Sequence, residues 1–156
     1  NLYGPGDNFN LENSHVLPAL LRKFYEAKLQ SRNEVICWGS GRPRREFMFI
    51  DDFGKACVFI LENFHPGMNR DDIPFLNVGT GSDLSIKELA EKIANLFNFK
   101  GNIIWDTKEP DGTYQKKLNV EKLNRLGWKY QVSIDEGLKK TLDYFVSSYK
   151  SKDIRL

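Results

Sequence analysis

At 156 residues, with 40% hydrophobic and 28% charged side chains, the chain has the make-up of an ordinary globular domain, or of one piece of a larger one. That excludes a disordered chain, a collagen and a disulfide-stapled mini-protein. Its 23 lysines and arginines against 21 aspartates and glutamates leave +2, too balanced to make nucleic acid or an anionic membrane the default partner.

The chain opens on Asn1-Leu2-Tyr3-Gly4-Pro5-Gly6-Asp7-Asn8, a loop by its glycines and proline. It starts with Asn rather than Met, so an amino-terminal part is expected to precede it. From Val16 to Leu29 the residues Leu17, Leu20, Leu21, Phe24 and Ala27 recur at three and four. This predicts a helix capped by Asn13 or Ser14, with Pro18 in its first turn. Glu34-Val35-Ile36-Cys37-Trp38 reads as a strand, Gly39-Ser40-Gly41-Arg42-Pro43 as a turn, and Phe47-Met48-Phe49-Ile50 as a second short strand. Asp51 or Asp52 caps a helix through about Phe64, which His65-Pro66-Gly67 stops. Pro74-Phe75-Leu76-Asn77-Val78-Gly79 is almost wholly apolar and predicts a buried strand.

Ser85-Ile86-Lys87-Glu88 spells a capping box ahead of Ile86, Leu89, Ala90, Ile93, Ala94 and Phe97 at helical spacing. Asn102-Ile103-Ile104-Trp105 reads as a strand and Val120 to Leu126 as a short helix closed by Gly127. Ser133 to Tyr149 forms the last helix, carrying Ile134, Leu138, Leu142, Phe145 and Tyr149. Strands alternating with helices predict α/β architecture.

Cys37 and Cys57 sit inside apolar runs and read as reduced core thiols; with two histidines they cannot furnish a four-ligand site, so no metal is expected. No apolar stretch approaches the roughly 18 residues that cross a bilayer, and no membrane partner is expected. Gly79-Thr80-Gly81 begins like a dinucleotide signature, but Leu84 stands where its third glycine belongs. A tight strand-to-helix turn is the plainer reading. Arg42, Arg44 and Arg45 crowd one turn without interleaved aromatics, which argues against a nucleic-acid patch. Asp51 and Asp52 form an acid pair on paper and read first as helix-start residues, while His65 reads as a surface loop residue.

Several ordered motifs carry a stronger signal. They are Asn1-Leu2-Tyr3-Gly4-Pro5, Ser14-His15-Val16-Leu17-Pro18, Trp38-Gly39-Ser40-Gly41, Arg45-Glu46-Phe47, Asp51-Asp52 and Asn77-Val78-Gly79-Thr80-Gly81. Together they resemble the second half of an extended short-chain dehydrogenase/reductase acting on nucleotide sugars. The longer strings Asn1 to Phe9 and Asn13 to Lys23, with Lys108 to Thr113 and Leu126-Gly127-Trp128, resemble the GDP-L-fucose synthase family within it.

That resemblance implies a Rossmann-like enzyme of which residues 1–156 form one carboxy-terminal portion, mainly the small substrate-binding lobe of mixed short strands and helices. It implies epimerisation of GDP-4-keto-6-deoxy-D-mannose at C3 and C5 and NADPH-dependent reduction at C4, with a GDP-sugar as substrate. A cytoplasmic location and a homodimer of the full-length protein are expected with it. A C4 ketone acidifies both flanking C–H bonds, so an acid and a base can exchange protons through an enolate. The family assigns the proton-donor role to His15, which also faces the cofactor with Asn1 and Leu2. An ordinary imidazole, near pKa 6.5, suits the role, and a plain helix-start histidine is the alternative.

Lys23, Trp38, Arg45 and Asp111 are implied as substrate-binding. Arg45 offers a planar fork to a diphosphate. Trp38 offers an apolar face to sugar or base, or is core; Lys23 is otherwise a solvated charge, and Asp111 otherwise a turn aspartate. The family's glycine-rich NADP fingerprint, Ser-Tyr-Lys reductase residues and epimerase cysteine belong ahead of Asn1; neither Tyr3 nor Tyr25 has a lysine four residues on. By itself the chain is expected to be inactive. Another nucleotide-sugar epimerase or dehydratase, or a stand-alone nucleotide-binding module, are the other readings.

Overall fold

In the computed structural model, which describes residues 1–65 and 75–154, the opening loop contains a two-residue strand, β1 (Leu2–Tyr3). The periodic segment that follows is α1 (Val16–Leu29), with Leu17, Leu20, Leu21, Phe24 and Ala27 all buried. His15, rather than Asn13 or Ser14, holds its N-cap position, and no side chain caps it. Strand β2 (Glu34–Trp38) comes next, then β3 (Arg44–Arg45) and β4 (Met48–Phe49). Helix α2 (Ile50–Asn63) starts within the predicted second strand. Its N-cap position falls on Phe49, so Asp51 and Asp52 lie in the first turn instead of capping it, where their charge still suits the helix dipole.

Of the predicted strand at residues 74–79, Pro74 lies outside the described residues, as do Pro66 and Gly67 of the stop signal. Phe75 to Gly79 form no strand. Leu76 and Val78 pack instead on a small cluster of Met48, Ala56, Leu123 and Trp128, so their apolarity serves side-chain packing rather than a ladder. Then follow β5 (Leu84–Ser85), α3 (Ile86–Leu96), β6 (Asn102–Asp106), β7 (Gln115–Lys116), α4 (Glu121–Arg125) and α5 (Ile134–Ser151). The capping box forms as the sequence spells it: Ser85 Oγ accepts from the Glu88 amide, and the Glu88 carboxylate accepts from the Ser85 amide at 2.7 Å.

Among the described residues the strands form three small sheets. β2 pairs with β6 in parallel through five residues, from Glu34 opposite Asn102 to Trp38 opposite Asp106. β1 pairs with β4 in parallel. β3 lies between β5, antiparallel, and β7, parallel. Among the described residues five of the seven strands, β1, β3, β4, β5 and β7, are two-residue ladders, and of these only β4 lies in an apolar run.

The main core lies where α1, α3 and α5 meet β2 and the opening loop. Phe9, Tyr25, Phe145 and Tyr149 stack in a run, with centroids 4.6 Å apart for Phe9 and Phe145 and 5.1 Å for Tyr25 and Tyr149. Such pairs contribute about 0.5–1.5 kcal/mol each beyond area burial. Cys37 belongs to this core; Cys57 does not, being only half-buried on α2, and both are free thiols. Among the described residues no helix is long and apolar enough to cross a membrane.

Candidate functional site

Alternation along β2 decides what faces outward. Val35 and Cys37 point into the core, so Glu34, Ile36 and Trp38 point away from it. Trp38 is 55% exposed, which settles the choice between core and surface. From the third turn of α1, Lys23 reaches across: its Nζ donates to the Ile36 carbonyl at 2.9 Å and lies 4.9 Å from the centre of the Trp38 ring. Burial lowers the Lys23 pKa. Burial likewise pushes the Cys37 thiol up to about 11, so it stays protonated and is no nucleophile.

Successive residues of β3 likewise take different tasks. Arg44 is bound to Asp83 at 2.9 Å and to Glu88 at 3.4 Å, a structural tie between β3 and α3. Arg45 faces the other way, and among the described residues its side chain holds only the Arg44 carbonyl, through Nη1 at 2.8 Å. Asp111 reaches the turn after β2, where its two oxygens accept from the Ser40 amide and hydroxyl at 2.6 and 2.7 Å. Those two bonds hold its carboxyl below the usual range. Gly39, at φ +78°, permits this approach, because a Cβ there would come within 2.5 Å of Asp111 Oδ1.

These four residues line one cavity of about 240 Å³, with Ser14 and Pro110 among its other walls. Two cations, an exposed indole and an apolar floor are therefore brought together from α1, β2, β3 and the loop after β6. The chemistry of that set fits an anionic ligand with a flat apolar part.

His15 stands at the start of α1 with its side chain exposed and its carbonyl accepting from the Ala19 amide at 3.1 Å. Its neighbours Ser14 and Val16 line the cavity and His15 does not. Asn1 turns its side-chain amide to the Glu46 carbonyl at 3.0 Å. Leu2, 41% exposed, lines a separate shallow cleft of about 230 Å³ with Gly4, Asp7 and Ile50.

Glu46 is the residue that sequence reasoning missed. Only 4% exposed, it accepts from the Gly81 and Leu118 amides, both at 2.7 Å, and from the Thr80 hydroxyl at 3.3 Å. A carboxylate thus occupies the position a pyrophosphate would need at Gly79-Thr80-Gly81, which excludes that turn as a dinucleotide cradle. A charged residue between the apolar Phe47-Met48-Phe49 and the arginines was the available signal. Ser40, the anchor of Asp111, gave none. Among the described residues no cluster of three or more His, Cys, Asp or Glu could hold a metal ion.

Residues 1–79 match the model of the NAD dependent epimerase/dehydratase family. The chain is 45% identical to GDP-L-fucose synthase 1 of Arabidopsis thaliana over 95% of its own length and 44% of that protein's. It is 45% identical to the GDP-L-fucose synthase of Escherichia coli strain K12, covering 95% of this chain and 47% of that one. It superposes on the crystal structure of a GDP-L-fucose synthetase from Naegleria fowleri bound to NADP with a TM-score of 0.85 at 31% identity, covering 100% of this chain and 47% of that one. The chain thus spans less than half the length of each of these relatives.

Proposed function

The chain belongs to the NAD dependent epimerase/dehydratase family, and on that footing we propose that it forms the substrate-binding, carboxy-terminal portion of an NADP-dependent GDP-L-fucose synthase. The whole enzyme takes GDP-4-keto-6-deoxy-D-mannose, inverts C3 and C5, and reduces C4. The observation that carries this reading is the convergence of Lys23, Trp38, Arg45 and Asp111 on one cavity. Relatives named for the same activity, 45% identical across nearly all of the chain, support it.

The mechanism assigns each residue a physical task. The guanidinium of Arg45 has donors to spare after its one backbone bond, and they meet the diphosphate in charge-assisted bonds worth about 1.5–3 kcal/mol each. Lys23 adds a second positive charge over the indole, where partial burial strengthens its pull on an anion. Trp38 covers an apolar face of the sugar or base. Asp111 locks the Ser40 turn and so fixes the cavity's far wall. Held this way, the sugar presents C3 and C5, whose hydrogens the ketone has acidified, and His15 returns a proton to the enolate from its exposed position at the head of α1.

The cofactor meets this chain only at an edge. The shallow cleft beside Leu2 has Gly4 at φ +155°, where a Cβ would come within 2.5 Å of Ile50, and it contains no cation. It fits the rim of a nicotinamide ring and not a pyrophosphate. NADPH, when bound, supplies hydride to C4. Its phosphates and the Ser-Tyr-Lys reductase residues are assigned to a segment outside these 156 residues.

The test is an exchange assay on the full-length protein. Wild type should wash deuterium from heavy water into C3 and C5 of the keto sugar, and His15→Asn should lose that exchange while reducing the ketone. Equal loss of both reactions contradicts the assigned role.

A further inference from the structure

The cavity that holds Arg45 does not end at Trp38. A second hollow, of about 730 Å³, runs along the outer face of β2, and Leu11, Lys23 and Trp38 line both. Lys23, anchored on the Ile36 carbonyl and set over the Trp38 ring, marks the line where the two meet. A ligand bound by its diphosphate at Arg45 therefore has a continuous path past Trp38 toward the start of β2.

The second hollow has an apolar floor and a polar far end. The alternation that turns Trp38 outward also turns out Ile36, 56% exposed, and Ile104 stands opposite it in the β2–β6 register, 41% exposed. Three large apolar side chains left in water on one strand pair form a platform that suits a flat ring. Beyond Ile36 comes Glu34, two positions earlier on the same face, with Arg32 and Asn33 beside it. From Trp38 back to Glu34 the strand covers roughly 13 Å at about 3.3 Å per residue, room for a ribose over Trp38 and a purine over Ile36. Two carboxylates border the hollow, and they differ. Glu26 is engaged with Arg22, whose Nε lies 2.7 Å from its Oε1. Glu34 is exposed, and among the described residues its side chain makes no hydrogen bond or ion pair.

We propose that this hollow is the base subsite and that Glu34 selects guanine: its carboxylate accepts from the N1–H and the N2 amino group of the purine edge while Ile36 covers the ring face. This rests on the reading of the adjoining cavity as the seat of a GDP-sugar's diphosphate. The chemistry discriminates among bases. Guanine presents two donors side by side on that edge, which match the two oxygens of a carboxylate. Hypoxanthine keeps N1–H and lacks the amino group. Adenine sets a lone pair at N1 against the carboxylate, and uracil offers one donor on a smaller ring, so the same group that attracts guanine rejects the others.

Calorimetric titration of nucleoside diphosphates into the full-length protein tests this. Wild type should bind GDP about tenfold tighter than inosine diphosphate (IDP), for the one charge-assisted bond lost, and ADP and UDP more weakly still. Glu34→Gln, at an exposed position, should weaken GDP about tenfold, bring GDP and IDP within about twofold of each other and leave ADP unchanged. Ile36→Ser, which removes the platform and keeps the carboxylate, should weaken GDP and IDP alike. A GDP to IDP ratio that is unchanged in Glu34→Gln, a loss that ADP shares equally, or a ratio that moves in Ile36→Ser instead would overturn the proposal. Arg45→Ala separates the two readings. If it weakens GDP while Glu34→Gln keeps the wild-type ratio, the diphosphate site stands and the base subsite falls; if wild type binds no GDP, both fall.

Discussion

Asp111 closes on Ser40 across 71 residues of sequence, taking the amide at 2.6 Å and the hydroxyl at 2.7 Å with separate oxygens. This contact joins the loop after β6 to the turn after β2, which leave the same end of their parallel pair, and makes them a single wall of the cavity. Because both bonds favour the charged carboxylate, the Asp111 pKa lies below its ordinary 3.8 in the folded chain.

The sign of the pH dependence follows. A depressed carboxyl contributes stability that is present above its unfolded pKa and is lost as pH falls through the folded value. The Ser40 amide resonance, followed in an acid titration, should therefore keep its hydrogen-bonded shift below pH 3.8 and move only at lower pH. In Asp111→Asn it should not titrate with this group at all.

Gly137 gives a second prediction. A glycine inside α5 gives up about 1 kcal/mol of helix propensity relative to alanine, so the substitution looks favourable on the sequence alone. Yet a Cβ at Gly137 would overlap the Tyr3 hydroxyl and press on Phe49 at 3.1 Å. Gly137→Ala should lower stability by about 1–3 kcal/mol in urea unfolding, and Tyr3→Phe in that background should recover part of the loss.

Asp52 supplies a third. It is 1% exposed, and its Oδ2 accepts from the Gln131 and Val132 amides at 2.8 and 2.7 Å, fixing the approach to α5 from the first turn of α2. Asp52→Ala takes the acceptor from two part-buried amides and should cost about 1–3 kcal/mol in all. Asp52→Asn keeps an acceptor and should lose less by the same urea measurement.

Helices α1, α3 and α5 were legible because each buries a stripe that repeats at three and four, and α3 announced its start through Ser85 and Glu88. Strand β2 was legible for the opposite reason, its short β-rich run. Apart from β4, which lies in the apolar run Phe47 to Ile50, the two-residue ladders were not, since a pair such as Arg44 and Arg45 has no period to detect and owes its pairing to neighbours far along the chain. The segment from Phe75 to Gly79 shows the converse error: apolar residues packed side by side without a partner strand. At the site, Trp38 was ambiguous until the inward Cys37 fixed its direction. Lys23 and Arg45 carried their chemistry in their side chains. Glu46 and Asp52 did not, because a buried carboxylate that ties backbone amides looks like any other acidic residue until the amides are in place.

The claim on which the account turns is that Lys23, Trp38, Arg45 and Asp111 surround a guanosine diphosphate group. Calorimetric titration of GDP into the full-length protein and its Arg45→Ala variant tests it most directly. The account predicts about tenfold weaker binding in the variant, a loss near 1.4 kcal/mol. Equal affinity in the two proteins would contradict it.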